Sequence, residues 1–307
     1  MNTSPKITIG ITAYRVAKYL EECWQSVLDQ TNDQWEAILV LDGGNDSETI
    51  ELFNKIEHPN LRKFALTKNE GPYATRVLAI ENTRTDWYCH LDDDDSLPHD
   101  MVQNLYHHLK KHPDDDFIYG HSQYFGENEN RLVLAKTPGS EQLLYKTLFS
   151  ATAPINLRLY KKLGGYCEEL KWIDFDWDFW IGANEINAKG NLLDKVIYNR
   201  RVRKGNSGNT YFYQRPRVVE IIIKRHPIFF NSEEKKVKCR SKVFELVARE
   251  YRIRGDREKA KHFAELSIAN KRSTKGLRGI IEEGNMPIWR YWLRTLARKL
   301  TSHSKPQ

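Results

Sequence analysis

Four consecutive carboxylates, Asp92, Asp93, Asp94 and Asp95, follow an apolar run at 87–91 and are closed by Ser96, Leu97 and Pro98. Like charges this close repel unless a cation gathers them. A hard divalent ion such as Mg²⁺ takes one or two carboxylates together with phosphate oxygens and water. The cluster is therefore expected to hold a divalent metal, Mg²⁺ or Mn²⁺. Acids also gather at the positive end of a helix dipole, which would account for one or two of these residues but not for four. A second constellation is Thr12-Ala13-Tyr14 together with Asp42-Gly43-Gly44. Asp42 beside two glycines suits a nucleobase or ribose pressed against backbone, with the carboxylate accepting from an imide N–H and Tyr14 offering a ring. Asp-Gly is also ordinary turn chemistry.

Both clusters sit where strands should end. Short aliphatic runs at 7–11, 37–41, 63–66 and 87–91 alternate with helical spacing, as in Tyr19, Leu20, Cys23, Trp24, Val27 and Leu28, and with helices expected at 47–56, 73–82 and 101–109. Alternating strands and helices predict an α/β fold with a mainly parallel central sheet and ligands at the carboxyl ends of its strands. A strand is expected at 116–124, with 131–134 as its hairpin arm, a helix at 177–186 and a basic, glycine-containing loop or lid at 202–209. Helices dominate thereafter, at 218–224, 242–254, 258–270 and 288–300. The expected domains are 1–214 and a basic helical region at 215–307. Ala248, Tyr251, Gly255, Ala260 and Ala264 follow the small-residue spacing of a tetratricopeptide helix pair, a spacing any antiparallel helix pair also needs.

With 307 residues, 29% charged and 40% hydrophobic, the composition is globular and excludes fibrous and low-complexity classes. No run approaches the ~18 apolar residues that cross a bilayer, and 7–11 is too short for a signal-peptide core, so the expected location is cytoplasmic. Cys23, Cys89, Cys167 and Cys239 are widely spaced, suggesting neither a zinc site nor a disulfide framework. The net charge of +7 is unevenly spread. Residues 200–307 hold 28 Lys and Arg against 10 Asp and Glu, a balance of +18, which leaves −11 for residues 1–199. Such polarity calls for an anionic partner or a solvated basic helical surface. No nucleic-acid motif accompanies it, and nucleic acid is not an expected partner.

Taken in order, these segments resemble the inverting family 2 glycosyltransferases of GT-A fold, over about residues 6–207. Residues 9–15 (IGITAYR) are similar to the family's first strand and Thr-x-Tyr turn, residues 19–31 to the helix that follows, and 42–46 (DGGND) to its Asp-Gly-Ser-x-Asp turn. The resemblance implies that Thr12, Tyr14 and Asp42 hold uracil or another pyrimidine and that Arg76 contacts base or phosphates. It also implies that Asp92 and Asp93 bind the nucleotide and that Asp94 binds the metal that meets the diphosphate. Residues 164–170 (GGYCEEL) and 174–180 (DFDWDFW) look like the segments carrying the family's general base. That alignment implies Asp176 as base, with Asp178 in support. The family's preceding Glu is here Phe175, so the assignment can shift to Asp178 or Asp174. Residues 201–207 resemble a loop that carries His in relatives, where Arg203 or Lys204 would offset leaving-group charge, unless the loop is merely solvated. The implied reaction is transfer of a sugar from a UDP-linked donor to a hydroxyl of a glycan or lipid-linked acceptor. The alternative is a non-catalytic sugar-nucleotide or glycan-binding module, which would not need Asp176.

The last feature is the stretch 288–300, where Trp289, Trp292, Leu293, Leu296 and Leu300 recur at helical spacing among Arg290, Arg294, Arg298 and Lys299. A basic amphipathic helix with tryptophans suits the interface of an anionic membrane, placing the chain peripherally on its inner face. A terminal helix packing its Trp face inward has the same pattern.

Overall fold

β1 (Ile7–Ala13) is a strand of β-branched and small residues, almost wholly buried, as a central strand covered on both faces requires. The structure is a computed structural model describing residues 7–44, 46–127, 129–137, 141–149, 152–203, 211–270, 275–287 and 290–291. β1 pairs in parallel with β2 (Trp35–Leu41) on one side and β4 (Trp87–Asp92) on the other, and β2 pairs with β3 (Leu61–Ala65). The connections are helices α1 (Ala17–Leu28), α2 (Ser47–Lys55) and α3 (Gly71–Glu81). α1 buries Leu20, Cys23, Trp24 and Val27, one stripe at 3.6-residue spacing, in the core beneath the sheet. Asp46 caps α2 by accepting from the Thr49 N–H at 2.8 Å.

α4 (Met101–Lys111) leads into β5 (Phe117–Gly126), which forms the expected hairpin with β6 (Glu129–Val133). The two-residue strand β7 (Ile155–Asn156) joins β4 to β5, giving the order β3-β2-β1-β4-β7-β5-β6. α5 (Leu157–Lys162) and α6 (Phe175–Glu185) follow. β8 (Gly190–Val202) then runs parallel to β5 along its whole length. The sheet is mainly parallel, as expected. β8 corrects the loop assignment at its start: Arg201 and Val202 belong to the strand. A register shift at Gly120 and His121 breaks the two-residue alternation that would have revealed it. Residues 204–209 of the expected lid lie outside the described residues.

The chain divides into two compact units, Met1–Asn209 and Thr210–Gln307. The division precedes the expected 214/215 boundary because Phe212 packs its ring on Tyr251 of the second unit, centroids 4.8 Å apart. That unit contains α7 (Arg215–Arg225), α8 (Glu233–Ile253), α9 (Arg257–Ala269) and α10 (Lys275–Asn285). α8 begins before the expected 242, capped by Ser232, and α10 was not expected. Gly255, at φ 82°, makes the left-handed turn between α8 and α9. Ala248, Ala260 and Ala264 lie buried with Leu277 and Ile280, so the small-residue spacing is the contact line of a helix hairpin completed by α10. The expected helix at 288–300 lies outside the described residues apart from Arg290 and Tyr291, which are helical. No helix among the described residues is long and apolar enough to cross a membrane.

Candidate active site

The switch point of a parallel sheet, where connections leave β1 and β4 in opposite directions, opens a crevice at the strand ends. Thr12 and Asp92 are register partners there. The Tyr14 N–H donates to Asp93 Oδ2 at 2.8 Å, tying the end of β1 to the acidic run. The Tyr14 ring is 40% exposed beneath the Arg15 guanidinium. Arg15 in turn donates to the Gly44 carbonyl from two nitrogens at 3.2 Å.

Asp42 is placed differently from its neighbours. It is buried, and its carboxylate accepts from the backbone N–H groups of Gly43, Glu70 and Gly71, all at 2.9 Å. The last two are donors at the start of α3 that no helical carbonyl can reach. Asp42 thus fastens α3 to the end of β2, a role the sequence reading did not assign.

α3 delivers Arg76 into the floor of the crevice. Its guanidinium is buried, with Nη2 3.7 Å from Asp92 Oδ1 and its carbon 4.9 Å from the Phe175 ring centroid. Phe175 therefore has a specific neighbour: it lays an aromatic face under a cation. Tyr73 and Tyr166 brace the same ring edge-on, at 5.8 and 5.0 Å. Arg76 Nε is buried without a hydrogen-bond partner.

The four aspartates have four distinct environments. Asp92, 42% exposed, accepts from His90 Nε2 at 2.9 Å. Burial opposes its ionisation, but His90, Arg76 and Arg200 outweigh it and hold the carboxyl well below the usual range. Burial, then the charges of Asp94 and Asp92, push Asp93 well above that range despite the Tyr14 N–H. Asp94 Oδ2 accepts from Arg203 Nε at 2.8 Å. Asp95 is buried, accepts from the Arg201 N–H at 2.6 Å and from the Tyr198 hydroxyl, and is pushed up to about 7 by burial and the Asp92 charge. The run is thus stitched to the end of β8, with Ser96 and Asn199 exchanging backbone bonds at 3.0 and 2.9 Å. Among the described residues, no three His, Cys, Asp or Glu side chains converge on one point. A closed protein-only cage is therefore not formed. Hard carboxylate oxygens at Asp94 and Asp92 suit a Mg²⁺-type ion that arrives with phosphate oxygens and keeps water ligands.

Asp176 stands in the first turn of α6, its Oδ1 accepting from the Trp177 N–H at 2.9 Å. Burial and the neighbouring Asp174 charge raise its pKa, while Arg76 and that N–H oppose the rise. Asp178 is 3% exposed, and Asp174 precedes the helix at φ 59°. Arg76 lies within electrostatic reach of both Asp92 and Asp176, which links the acidic run to the first turn of α6. Lys204 lies outside the described residues.

The sequence reading missed Tyr88, His90, Tyr198 and Arg200, and named Asp95 only as part of the acidic run. Tyr88, His90 and Asp92 alternate with Trp87, Cys89 and Leu91, a two-residue period legible in the sequence. Tyr198 and Arg200 had no such signal because their strand was not recognised.

The sequence profile described as glycosyl transferase family 2 matches residues 8–181. An uncharacterised glycosyltransferase of Rickettsia conorii is 33% identical over 124 residues, 40% of this chain and 20% of that protein. One of Rickettsia typhi is 27% identical over 224 residues, 69% of this chain and 68% of its own length. This chain thus spans about a fifth of the first relative and two thirds of the second. The S. aureus TarS 1–349 crystal structure in complex with UDP-GlcNAc superposes with a TM-score of 0.59 at 17% identity, covering 86% of this chain and 89% of that one. At that identity the likeness concerns the fold.

Proposed function

The chain belongs to glycosyl transferase family 2, and we propose that it transfers a sugar from a UDP-linked donor to a hydroxyl of a glycan or lipid-linked acceptor, with inversion at the anomeric carbon. The observation that carries this reading is a buried guanidinium, Arg76, 3.7 Å from Asp92 and within electrostatic reach of Asp176. One buried cation acts on both the carboxylate proposed to meet the nucleotide and the carboxylate proposed as base. The UDP-GlcNAc complex of the TarS neighbour supports a UDP-sugar donor.

In this scheme Thr12 and Tyr14 flank the base of the donor, Asp92 and Asp93 orient its nucleotide, and Asp42 shapes the pocket by holding α3. A Mg²⁺ or Mn²⁺ ion held by Asp94, with Asp92 alongside, would neutralise the diphosphate as it departs. Asp176 accepts the proton of the acceptor hydroxyl while that oxygen attacks the anomeric carbon and the bond to diphosphate breaks. Its raised pKa makes it a stronger base than an exposed aspartate. Arg76 and Arg203 meet the growing negative charge from the protein side. The test is a hydrolysis screen of nucleotide sugars with Mg²⁺ or Mn²⁺, measuring released nucleoside diphosphate. The expected result is release from a UDP-sugar that is abolished in Asp94→Ala; release from none of the sugars by the folded chain would overturn the reading.

A further inference from the structure

Asp92 and Arg76 present a physical oddity. A buried guanidinium beside an ionised carboxylate ordinarily closes into a short, often bidentate, pair. Here Nη2 stops at 3.7 Å, beyond hydrogen-bond distance; the guanidinium instead reaches the Tyr166 hydroxyl, and Arg76 Nε has no partner. The same carboxylate oxygen, Asp92 Oδ1, is already taken by His90 Nε2 at 2.9 Å. An ionised carboxylate can only accept, so Nε2 bears the proton. The other ring nitrogen, Nδ1, lies 3.3 Å from the Tyr88 hydroxyl, which can donate to it, and the ring also meets the Gly10 backbone. Room for the tyrosine comes from the next strand: a Cβ at Gly10 would overlap the Tyr88 ring and hydroxyl. Tyr88, His90 and Asp92 thus form a file along one face of β4, backed by a glycine slot on β1.

We propose that His90 is a positioning residue for the donor site, holding Asp92 Oδ1 so that Asp92 and Arg76 do not collapse onto each other and both remain available to the nucleotide. Phe175 serves the same end, since a ring under the guanidinium steadies the cation without consuming its N–H groups. The inference rests on the UDP-sugar reading above and adds a residue that the family resemblance does not supply.

The test is titration calorimetry with UDP and Mn²⁺ on the full chain and on two variants. His90→Phe removes the N–H donor, and Asp92 is expected to close on Arg76, weakening UDP about tenfold. His90→Gln keeps an N–H donor near the Nε2 position and is expected to bind within about threefold of wild type. Rescue by Gln separates positioning from bulk packing, because both substitutions disturb the core. Equal UDP affinity in wild type and folded His90→Phe, or equal loss in both variants, would overturn the proposal. Should His90→Phe not fold, ring ¹⁵N spectra of the wild type decide: the Nε2-protonated neutral tautomer is expected, and the Nδ1-protonated form would overturn it. If wild-type chain fails to bind UDP, the donor reading falls first and this inference falls with it.

Discussion

Asp176 is the residue to which the proposed mechanism assigns chemistry, as distinct from binding. Asp176→Asn keeps the shape and the bond from the Trp177 N–H but removes proton acceptance. Turnover should fall by about 10²–10⁴ while UDP affinity stays within about twofold. Because burial and Asp174 raise its pKa, and the base must be ionised, wild-type kcat should fall on the acid side at a pH above the ordinary carboxylate range. A pH–rate profile checks this, and an acid limb at the unperturbed value would count against Asp176. Asn is tolerated at the left-handed backbone of Asp174, so Asp174→Asn and Asp178→Asn are fair controls. Loss in either of them instead would move the base. Much of this site was legible because residue types in order along alternating elements point to one chemistry. Asp42 shows the limit. The same Asp-Gly pattern serves a ligand or a helix start, and the bonds from the Glu70 and Gly71 N–H groups that tie Asp42 to α3 are visible only once α3 is in place.

Elements that alternate cleanly were readable, and the one that does not was missed. β1, β2 and β4 are covered on both faces and appear as apolar runs, so their ends, and hence the crevice, could be placed from sequence. β8 mixes Asn191, Asp194, Lys195 and Asn199 with Leu193, Ile197 and Tyr198, and its register shifts against β5. Yet β8 anchors the acidic run through Asp95, and this has a measurable consequence. The folded-state pKa of Asp95 is pushed up to about 7, above the ~3.9 of an unfolded Asp. The folded state therefore binds this proton more tightly than the unfolded one. The resulting stability is full below about pH 4 and is lost as pH rises through about 7. Asp95→Asn cannot ionise, so it should lose about 2 kcal/mol less stability than wild type between pH 5 and pH 8. Urea unfolding at the two pH values checks it; parallel losses in both proteins would show that Asp95 does not titrate differently on folding.

Across the whole chain, charge is segregated: −11 over residues 1–199, which hold most of the candidate site, and +18 over residues 200–307. The crevice offsets part of its acidity internally, through Arg76, Arg200 and Arg203. In the helical unit several cations are likewise paired, Arg252 to Glu283, Arg249 and Lys242 to Glu245, and Arg240 to Glu220. The 10 Asp and Glu of that unit are too few to match its 24 Lys and Arg, which leaves a surplus for solvent or an anionic partner. The stretch 288–300 adds tryptophans at helical spacing to that surplus, a combination that binds anionic lipid interfaces. Each Lys or Arg near such a surface contributes ~1 kcal/mol, attenuated within a Debye length of about 10 Å at 0.1 M salt. Full-length chain should therefore co-sediment with vesicles containing anionic lipid, release as salt rises, and ignore neutral vesicles. A chain ending at Pro287 keeps the Glu283, Gly284 and Met286 carbonyls that Arg257 binds, so it retains the helical unit while losing the stretch. It should lose most of the binding. Equal binding by both lengths would place the lipid contact on other basic residues, and no binding by either would leave the tryptophan face to packing within the protein.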